Sequence, residues 1–111
     1  MAVRLLLQSG VLSDYLVRTP GVDCDHPEII SLSERLKQSA ATETARVKAF
    51  FEFVRDEIPH SSDINSKTVS CTASEVLAAG EGICFAKSHL LAALCRANQI
   101  PAGFCYQLLR L

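Results

Sequence analysis

One stretch of this sequence, residues 80–103, reveals most about its organisation: GEGICFAKSHLLAALCRANQIPAG. From Cys84 to about Ala97 the side chains are apolar almost all round the helical circle. The clear polar exceptions are Lys87, Ser88, His89 and Arg96. A helix that is apolar on every side belongs inside a domain rather than on its surface. We therefore predict a buried central helix over residues 84–97.

The residues after this helix predict a strand. From Ile100 to Leu111, one set of alternating positions holds Ala102, Phe104, Tyr106 and Leu108, and the other holds Cys105, Leu109 and Leu111. A strand that is apolar on both faces needs cover on both sides. We therefore expect an α+β fold with a helix-rich N-terminal half and a terminal strand.

Upstream of residue 80 the sequence predicts further helices. The periodicity of the apolar residues, together with residues that can cap or break a helix, predicts helices at residues 12–17, 26–37 and 42–58. A shorter helix is predicted after Thr72. Asp25 is the expected cap of the second, while Thr72 and Glu75 form a capping box that opens the last, which Gly80 ends. No linker or repeat interrupts the chain, so we expect one domain over residues 1–111.

Composition narrows the possible functions. The chain has 111 residues, 49% of them hydrophobic, and a formal net charge of -1. Such a balance lacks the basic excess that nucleic-acid backbones require, and no apolar run is long enough to span a membrane. We therefore expect neither nucleic acid nor a membrane as a partner.

The five cysteines indicate a reducing compartment, because they are odd in number and form no CxxC pair. We accordingly expect a cytoplasmic protein with free thiols. Cys95 and Cys105 are predicted to be small core residues. Cys24 and Cys71 fall in polar segments and could be reactive.

Cys84 is the strongest candidate for chemistry. It follows the turn formed by Gly80, Glu81 and Gly82 and begins the predicted buried helix. Glycine allows a tight turn beside the sulfur, and the unpaired amides of a helix start favour an anion by about 0.3–1 kcal/mol. That is too little to activate a thiol, since cysteine proteases rely on pairing with an imidazolium. A histidine partner is therefore needed.

The chain has three histidines, and each is a candidate for that partner. His89 lies five residues beyond Cys84, about 140° round the helix and about 7.5 Å along it, so it is better explained as a polar residue at a packing boundary. His60, with Asp63 close behind it, is the internal alternative, but only tertiary structure could bring it to the thiol.

His26 ends a run that also contains Asp23, Cys24 and Asp25. A metal bound there would need ligands converging from one short segment, and a helix start explains the same residues more simply. We predict no metal site and no cofactor.

Taken together, several motifs resemble the transglutaminase-like superfamily. They are Ala73-Ser74-Glu75-Val76-Leu77, Gly80-Glu81-Gly82-Ile83-Cys84-Phe85-Ala86, Leu90-Leu91-Ala92-Ala93-Leu94-Cys95-Arg96-Ala97 and Ile100-Pro101-Ala102-Gly103. With the upstream helix, the resemblance covers about residues 45–107. It implies a papain-like α+β core in which Cys84 is the nucleophile and a histidine and an aspartate arrive on later strands. Gln99 departs from the pattern, since family members usually have glycine before Ile-Pro.

The resemblance implies a bacterial-type cysteine acyltransferase or cysteine-protease-like hydrolase acting on a protein or peptide amide. Because the family's histidine and aspartate would follow Leu111, we expect residues 1–111 to form an incomplete domain with little activity of its own. The alternative is a non-enzymatic scaffold with the same fold. In either case an unpaired terminal strand predicts a homo-oligomer formed by strand pairing.

Overall fold

The computed structural model describes residues 8–64, 66–67 and 69–105. Within this part of the chain the regular elements are one 3₁₀ turn and four α-helices. The turn is Leu12–Tyr15, and the helices are α1 (Pro27–Lys37), α2 (Glu43–Glu57), α3 (Ala73–Ala79) and α4 (Cys84–Ala97). The four predicted helices from residue 26 onward are present, and α4 has the predicted bounds. The helix predicted over residues 12–17 is the shorter 3₁₀ turn Leu12–Tyr15.

Local side-chain chemistry explains where α2 and α3 begin and end. The Thr42 hydroxyl accepts a hydrogen bond from the Ala45 N–H at 3.1 Å and starts α2. At α3, Thr72 accepts from the Glu75 N–H at 3.2 Å while the Glu75 carboxylate accepts from the Thr72 N–H at 3.3 Å, which confirms the capping box. Gly80 then ends α3 in the left-handed region at φ 70°, where glycine has no steric penalty.

The cap of α1 is His26, and the prediction of Asp25 was wrong. His26 Nδ1 accepts from the Glu28 N–H at 3.2 Å. Asp25 instead accepts from Arg18 Nε at 3.0 Å, on the surface. With Asp25 paired to Arg18, the acceptor for the first-turn amide comes from the imidazole one residue later.

The core forms around α4, which packs against α1, α2 and α3. Leu90 and Leu94 are fully buried on α4, where they join Ile29 of α1, Phe50 of α2 and Val76 of α3. Each side chain of this size contributes about 1.5–3 kcal/mol when it leaves water completely. The prediction of a buried central helix is confirmed.

The C-terminal end of α4 closes with a paired hydrogen-bond motif. The Ile100 N–H donates to the Cys95 carbonyl at 2.9 Å, and the Gln99 N–H donates to the Arg96 carbonyl at 3.1 Å. These two bonds define a Schellman motif, whose left-handed residue is usually glycine. Here that residue is Gln99, with φ 60°.

Arg96 fastens the segment after α4 to the N-terminal region. Its side chain is buried, and it donates from Nε and Nη2 to the Ala102 carbonyl at 3.0 and 2.7 Å. Nη1 donates to the Val17 carbonyl at 2.8 Å. The Ala102 N–H in turn donates to the Tyr15 carbonyl at 2.9 Å. One guanidinium therefore joins two distant stretches of backbone.

The α+β fold class and the terminal strand were wrong for the part of the chain that the structure describes. It contains no strand, and its only bridge of the β type is an isolated one between His60 and Gly82. The backbone groups of Ala102 bond to Tyr15 and to the Arg96 side chain, so no neighbouring strand pairs with residues 100–105 there. A strand needs a partner backbone, which alternating apolar residues cannot reveal. The rest of the predicted strand, residues 106–111, lies outside the described residues.

Among the described residues, no helix has the length and apolar character needed to cross a lipid bilayer.

Candidate functional site at the start of α4

Cys84 is the first residue of α4, and its side chain is exposed. The preceding residue, Ile83, makes no capping hydrogen bond through its side chain. The first amide bonded back into the helix is that of Lys87, which donates to the Ile83 carbonyl at 2.9 Å. The amides of residues 84–86 therefore lie ahead of the bonded ladder, and a helix start of this kind attracts a negative charge.

A concave surface of about 380 Å³ opens beside the thiol, and we refer to it as the Cys84 cavity. Its lining consists of Cys84, Phe85, Ser88, His89, Phe104 and Cys105. None of these is an Asp, Glu, Lys or Arg, and Phe85 is 49% exposed at its rim. The cavity joins one face of α4 to the segment that follows the helix, and it is large enough to hold a small ligand or one side chain of a larger one.

His89 lies in this cavity with its ring held on several sides. Nδ1 is 2.6 Å from the Cys71 carbonyl oxygen. The ring meets Phe85 and Phe104 edge to face, with centroids 5.7 and 5.5 Å away. Helical side chains lean toward the N-terminus of their helix, which brings this ring back toward Cys84. Residue spacing alone predicted a packing boundary and missed the shared cavity.

The backbone around His60 also reaches the site. The Ser61 N–H donates to the Gly82 carbonyl at 3.1 Å, and the Gly82 N–H donates to the Pro59 carbonyl at 3.2 Å. His60 Nδ1, however, accepts from the Ser62 N–H at 3.1 Å. A ring nitrogen that accepts a hydrogen bond through its lone pair carries no proton to donate to Asp63. The His60–Asp63 pair considered as a rearranged triad is therefore not formed through this nitrogen.

The carboxylate of Glu81 is engaged away from the thiol. Glu81 is buried, and its side chain accepts a hydrogen bond from the Ser66 hydroxyl. Its carbonyl accepts from the Ser70 hydroxyl at 3.3 Å. These bonds attach the loop before α3 to the turn before Cys84, so Glu81 helps to hold that turn in place.

The run from Asp23 to His26 has structural partners. Burial acts to raise the pKa of Asp23, but hydrogen bonds from the Ser74 hydroxyl and from the Ser74 N–H, at 3.0 Å, outweigh it and hold the pKa below its usual range. His26 caps α1, and Asp25 binds Arg18. Over the described ranges, no group of three or more His, Cys, Asp or Glu residues could hold a metal ion.

The other four thiols divide into two classes. Cys24 and Cys95 are buried, and burial raises the pKa of both, that of Cys95 to about 11 with a smaller contribution from the charge of Glu43. Cys71 and Cys105 are exposed. The prediction of a core position is confirmed for Cys95 and wrong for Cys105, whose segment lines the Cys84 cavity. Cys24 is a core residue, despite its polar neighbours in sequence.

The family comparison agrees with the resemblance and extends it. The family model described as the transglutaminase-like superfamily matches residues 30–111. No curated protein and no solved structure gives a significant match. The matched range begins within α1 and continues through α4. It therefore includes Cys84, Phe85 and His89, which line the Cys84 cavity.

Proposed function

The chain belongs to the transglutaminase-like superfamily, and on that basis we propose that it performs cysteine-dependent acyl transfer with Cys84 as the nucleophile. The acyl donor is an amide or thioester carbonyl of a protein or peptide, and water is the usual acceptor, which makes the reaction a hydrolysis. The observation that carries this proposal is the position of Cys84, an exposed thiol on the uncapped first turn of a buried helix.

The helix start would support both stages of the reaction. In the first stage Cys84 reacts as the thiolate, its proton having passed to solvent. Sγ forms a bond to the carbonyl carbon, and the carbonyl oxygen takes up the negative charge. Amides that precede the bonded ladder of α4 can donate to that oxygen, and preorganised donors of this kind contribute about 2.7–4 kcal/mol each in well-studied acyl-transfer enzymes. In the second stage the bond from carbon to the leaving nitrogen or sulfur breaks, its electron pair goes to that atom, which takes a proton from water, and a thioester remains on Cys84.

The Cys84 cavity favours an uncharged group next to the attacked carbonyl. Phe85 and Phe104 supply apolar surface, and Ser88 adds one hydroxyl, which already donates to the Phe85 carbonyl at 2.5 Å. A carboxylate or ammonium placed there would lose hydration without meeting an opposite charge among the described lining residues, which is costly. Substrates with an apolar side chain at this position should therefore react fastest.

Turnover by this chain should be slow. In the described residues, neither a histidine nor a carboxylate is hydrogen-bonded to Cys84 Sγ. The amides of a helix start contribute about 0.3–1 kcal/mol, whereas an imidazolium partner accounts for most of the activation in papain-type enzymes. Acylation should therefore be measurable while multiple turnovers remain rare.

A peptide thioester tests this proposal. We expect the 111-residue chain to acquire one acyl group at Cys84, seen by peptide mass mapping, and to release the free acid slowly. Cys84→Ser should abolish the fast adduct. Cys71→Ser is the matched control, because it removes another exposed thiol while keeping the backbone carbonyl that holds His89. An adduct formed equally fast in the Cys84→Ser variant would refute the assignment of the nucleophile.

A further inference from the structure

Glu81 is a buried acidic residue three positions before the nucleophile. Only 9% of its surface is exposed, and its side chain accepts a hydrogen bond from the Ser66 hydroxyl. Its backbone carbonyl accepts from the hydroxyl of Ser70 at 3.3 Å, and Ser70 is buried as well. A glutamate is seldom buried unless its polar atoms have partners. Both the side chain and the carbonyl of Glu81 are therefore attached to the loop before α3.

Gly82 is held from two sides. Its N–H donates to the Pro59 carbonyl at 3.2 Å, and its carbonyl accepts from the Ser61 N–H at 3.1 Å. On the other side the packing is close, since a Cβ at Gly82 would lie 3.3 Å from both methyl carbons of Val76 on α3. The backbone of Glu81 and Gly82 is thus fixed between the loop and α3.

The start of α4 depends on this backbone, because it has no cap of its own. The Ile83 side chain makes no capping hydrogen bond, whereas the Thr72 hydroxyl caps α3. The direction of the amides of residues 84–86 is then set by the backbone that leads into the helix, that of Glu81 and Gly82. Amides that stabilise charge on a carbonyl oxygen must already point at it before the reaction.

From these contacts we infer that Glu81 and Ser70 are positioning residues for the reaction at Cys84. Through the backbone of the turn, they aim the amides of residues 84–86 at the carbonyl oxygen of the substrate. This inference rests on the proposed function. Neither Glu81 nor Ser70 lines the Cys84 cavity, so their effect reaches the substrate through the backbone alone. A misplacement of about 1 Å in such groups can cost about 100-fold in rate.

Two reactions of Cys84 separate positioning from a general loss of structure. Acylation by a peptide thioester places negative charge on a carbonyl oxygen. Alkylation by iodoacetamide displaces iodide from a saturated carbon and forms no oxyanion, so misdirected amides should affect it far less. In Glu81→Ala we expect acylation at pH 7 to fall by about 100-fold. Alkylation should change by less than about fivefold, the size of the effect of a helix start on a nearby charge.

Glu81→Gln shows whether the hydrogen bond carries the effect. The amide oxygen of glutamine can accept from the Ser66 hydroxyl in place of the carboxylate. This variant should therefore be acylated at close to the parent rate.

Two buried serines provide a matched pair for the same measurement. Ser70 donates to the Glu81 carbonyl, and Ser33 of α1 donates to the Leu94 carbonyl near the other end of α4, both at 3.3 Å. Ser33 also accepts from Asn98 at 2.9 Å, so its loss should destabilise the fold at least as much. Only Ser70→Ala should lower the ratio of acylation to alkylation, by about tenfold, a part of what a full misplacement costs.

The outcomes separate the inference from the function. Thermal unfolding shows which variants are folded at the assay temperature, and the serine pair tests the inference if Glu81→Ala is not. If Cys84 is acylated equally fast in the parent and in folded Glu81→Ala, the positioning role is refuted and Cys84 remains the nucleophile.

Three further results would refute the positioning role. They are parallel losses of acylation and alkylation in Glu81→Ala, a loss in Glu81→Gln as large as that in Glu81→Ala, and equal ratios of acylation to alkylation in Ser33→Ala and Ser70→Ala. If the thioester leaves no acyl group on Cys84 in the parent, both the inference and the proposed function fail.

Discussion

The two ends of α4 carry the same kind of residue in opposite settings. At the N-terminal end Cys84 is exposed, follows an uncapped turn and lines a cavity. At the C-terminal end Cys95 is buried, and burial raises its pKa to about 11. Beside it Arg96 ties down the backbone of Val17 and Ala102.

The contrast assigns different roles to the two ends of α4: the N-terminal end carries the candidate nucleophile, and the C-terminal end contributes to the stability of the fold. At the C-terminal end, the Arg96 side chain and the backbone N–H groups of Ile100 and Ala102 have hydrogen-bond partners within the protein. The first turn leaves its amides and its thiol open to a ligand. Changes at the C-terminal end should therefore alter the free energy of unfolding and leave the reactivity of Cys84 intact in the folded state.

Arg96→Met should produce the largest effect. The substitution keeps much of the side-chain volume but removes three hydrogen bonds. The carbonyl oxygens of Val17 and Ala102 then lose the guanidinium donors that they have in the parent protein. We expect a loss of about 3 kcal/mol in the free energy of unfolding, measured by urea denaturation. Arg35→Met, at an exposed position of α1, is the control and should change stability by less than about 0.5 kcal/mol.

The rate of Cys84 alkylation shows whether Arg96→Met changes stability alone or also changes the reactivity of Cys84. In folded Arg96→Met protein, iodoacetamide should modify Cys84 at the parent rate. If Arg96→Met were as stable as the parent, or if it changed Cys84 reactivity without a change in stability, the separation between the two ends of α4 would be wrong.

Gln99→Gly should have a smaller effect, and a stabilising one. Gln99 occupies the left-handed region at φ 60° in the Schellman motif, where a residue with a Cβ loses about 1–2 kcal/mol relative to glycine. After the greater flexibility of glycine in the unfolded chain is subtracted, we expect a gain of about 1 kcal/mol. Thermal or urea unfolding measures it.

Gln38 provides the matched control for this prediction. It is the C-cap of α1 and has an ordinary helical φ of -58°. Gln38→Gly should therefore destabilise the protein by up to about 1 kcal/mol. Destabilisation by Gln99→Gly, comparable to that by Gln38→Gly, would mean that the left-handed conformation is not a source of strain.

Sequence alone predicted the features that depend on neighbours in the chain. Thr72 and Glu75 identified the start of α3, Gly80 its end, and the apolar run after Cys84 gave the bounds of α4. Gln99 was recognised as an unusual residue at a helix stop, and the structure shows it in the left-handed region there.

Features that depend on distant partners were missed or misjudged. The extended segment after Ile100 has the alternation of a strand, but the partners of Ala102 are the Tyr15 carbonyl and the Arg96 side chain. His89 was placed at a packing boundary because spacing on one helix says nothing about the Cys71 carbonyl, 18 residues earlier in the chain. Such contacts arise only when separate segments pack together.

The most direct test of the central claim is a competition among the five thiols of the native chain. A brief pulse of iodoacetamide, too little to modify every thiol, would be quenched and the label located by peptide mass mapping. We predict that Cys84 carries more label than Cys71 or Cys105, and that Cys24 and Cys95 are labelled only after unfolding in urea. A native chain in which Cys84 is protected like Cys95, or reacts more slowly than Cys71 and Cys105, would contradict the assignment of Cys84 as the nucleophile.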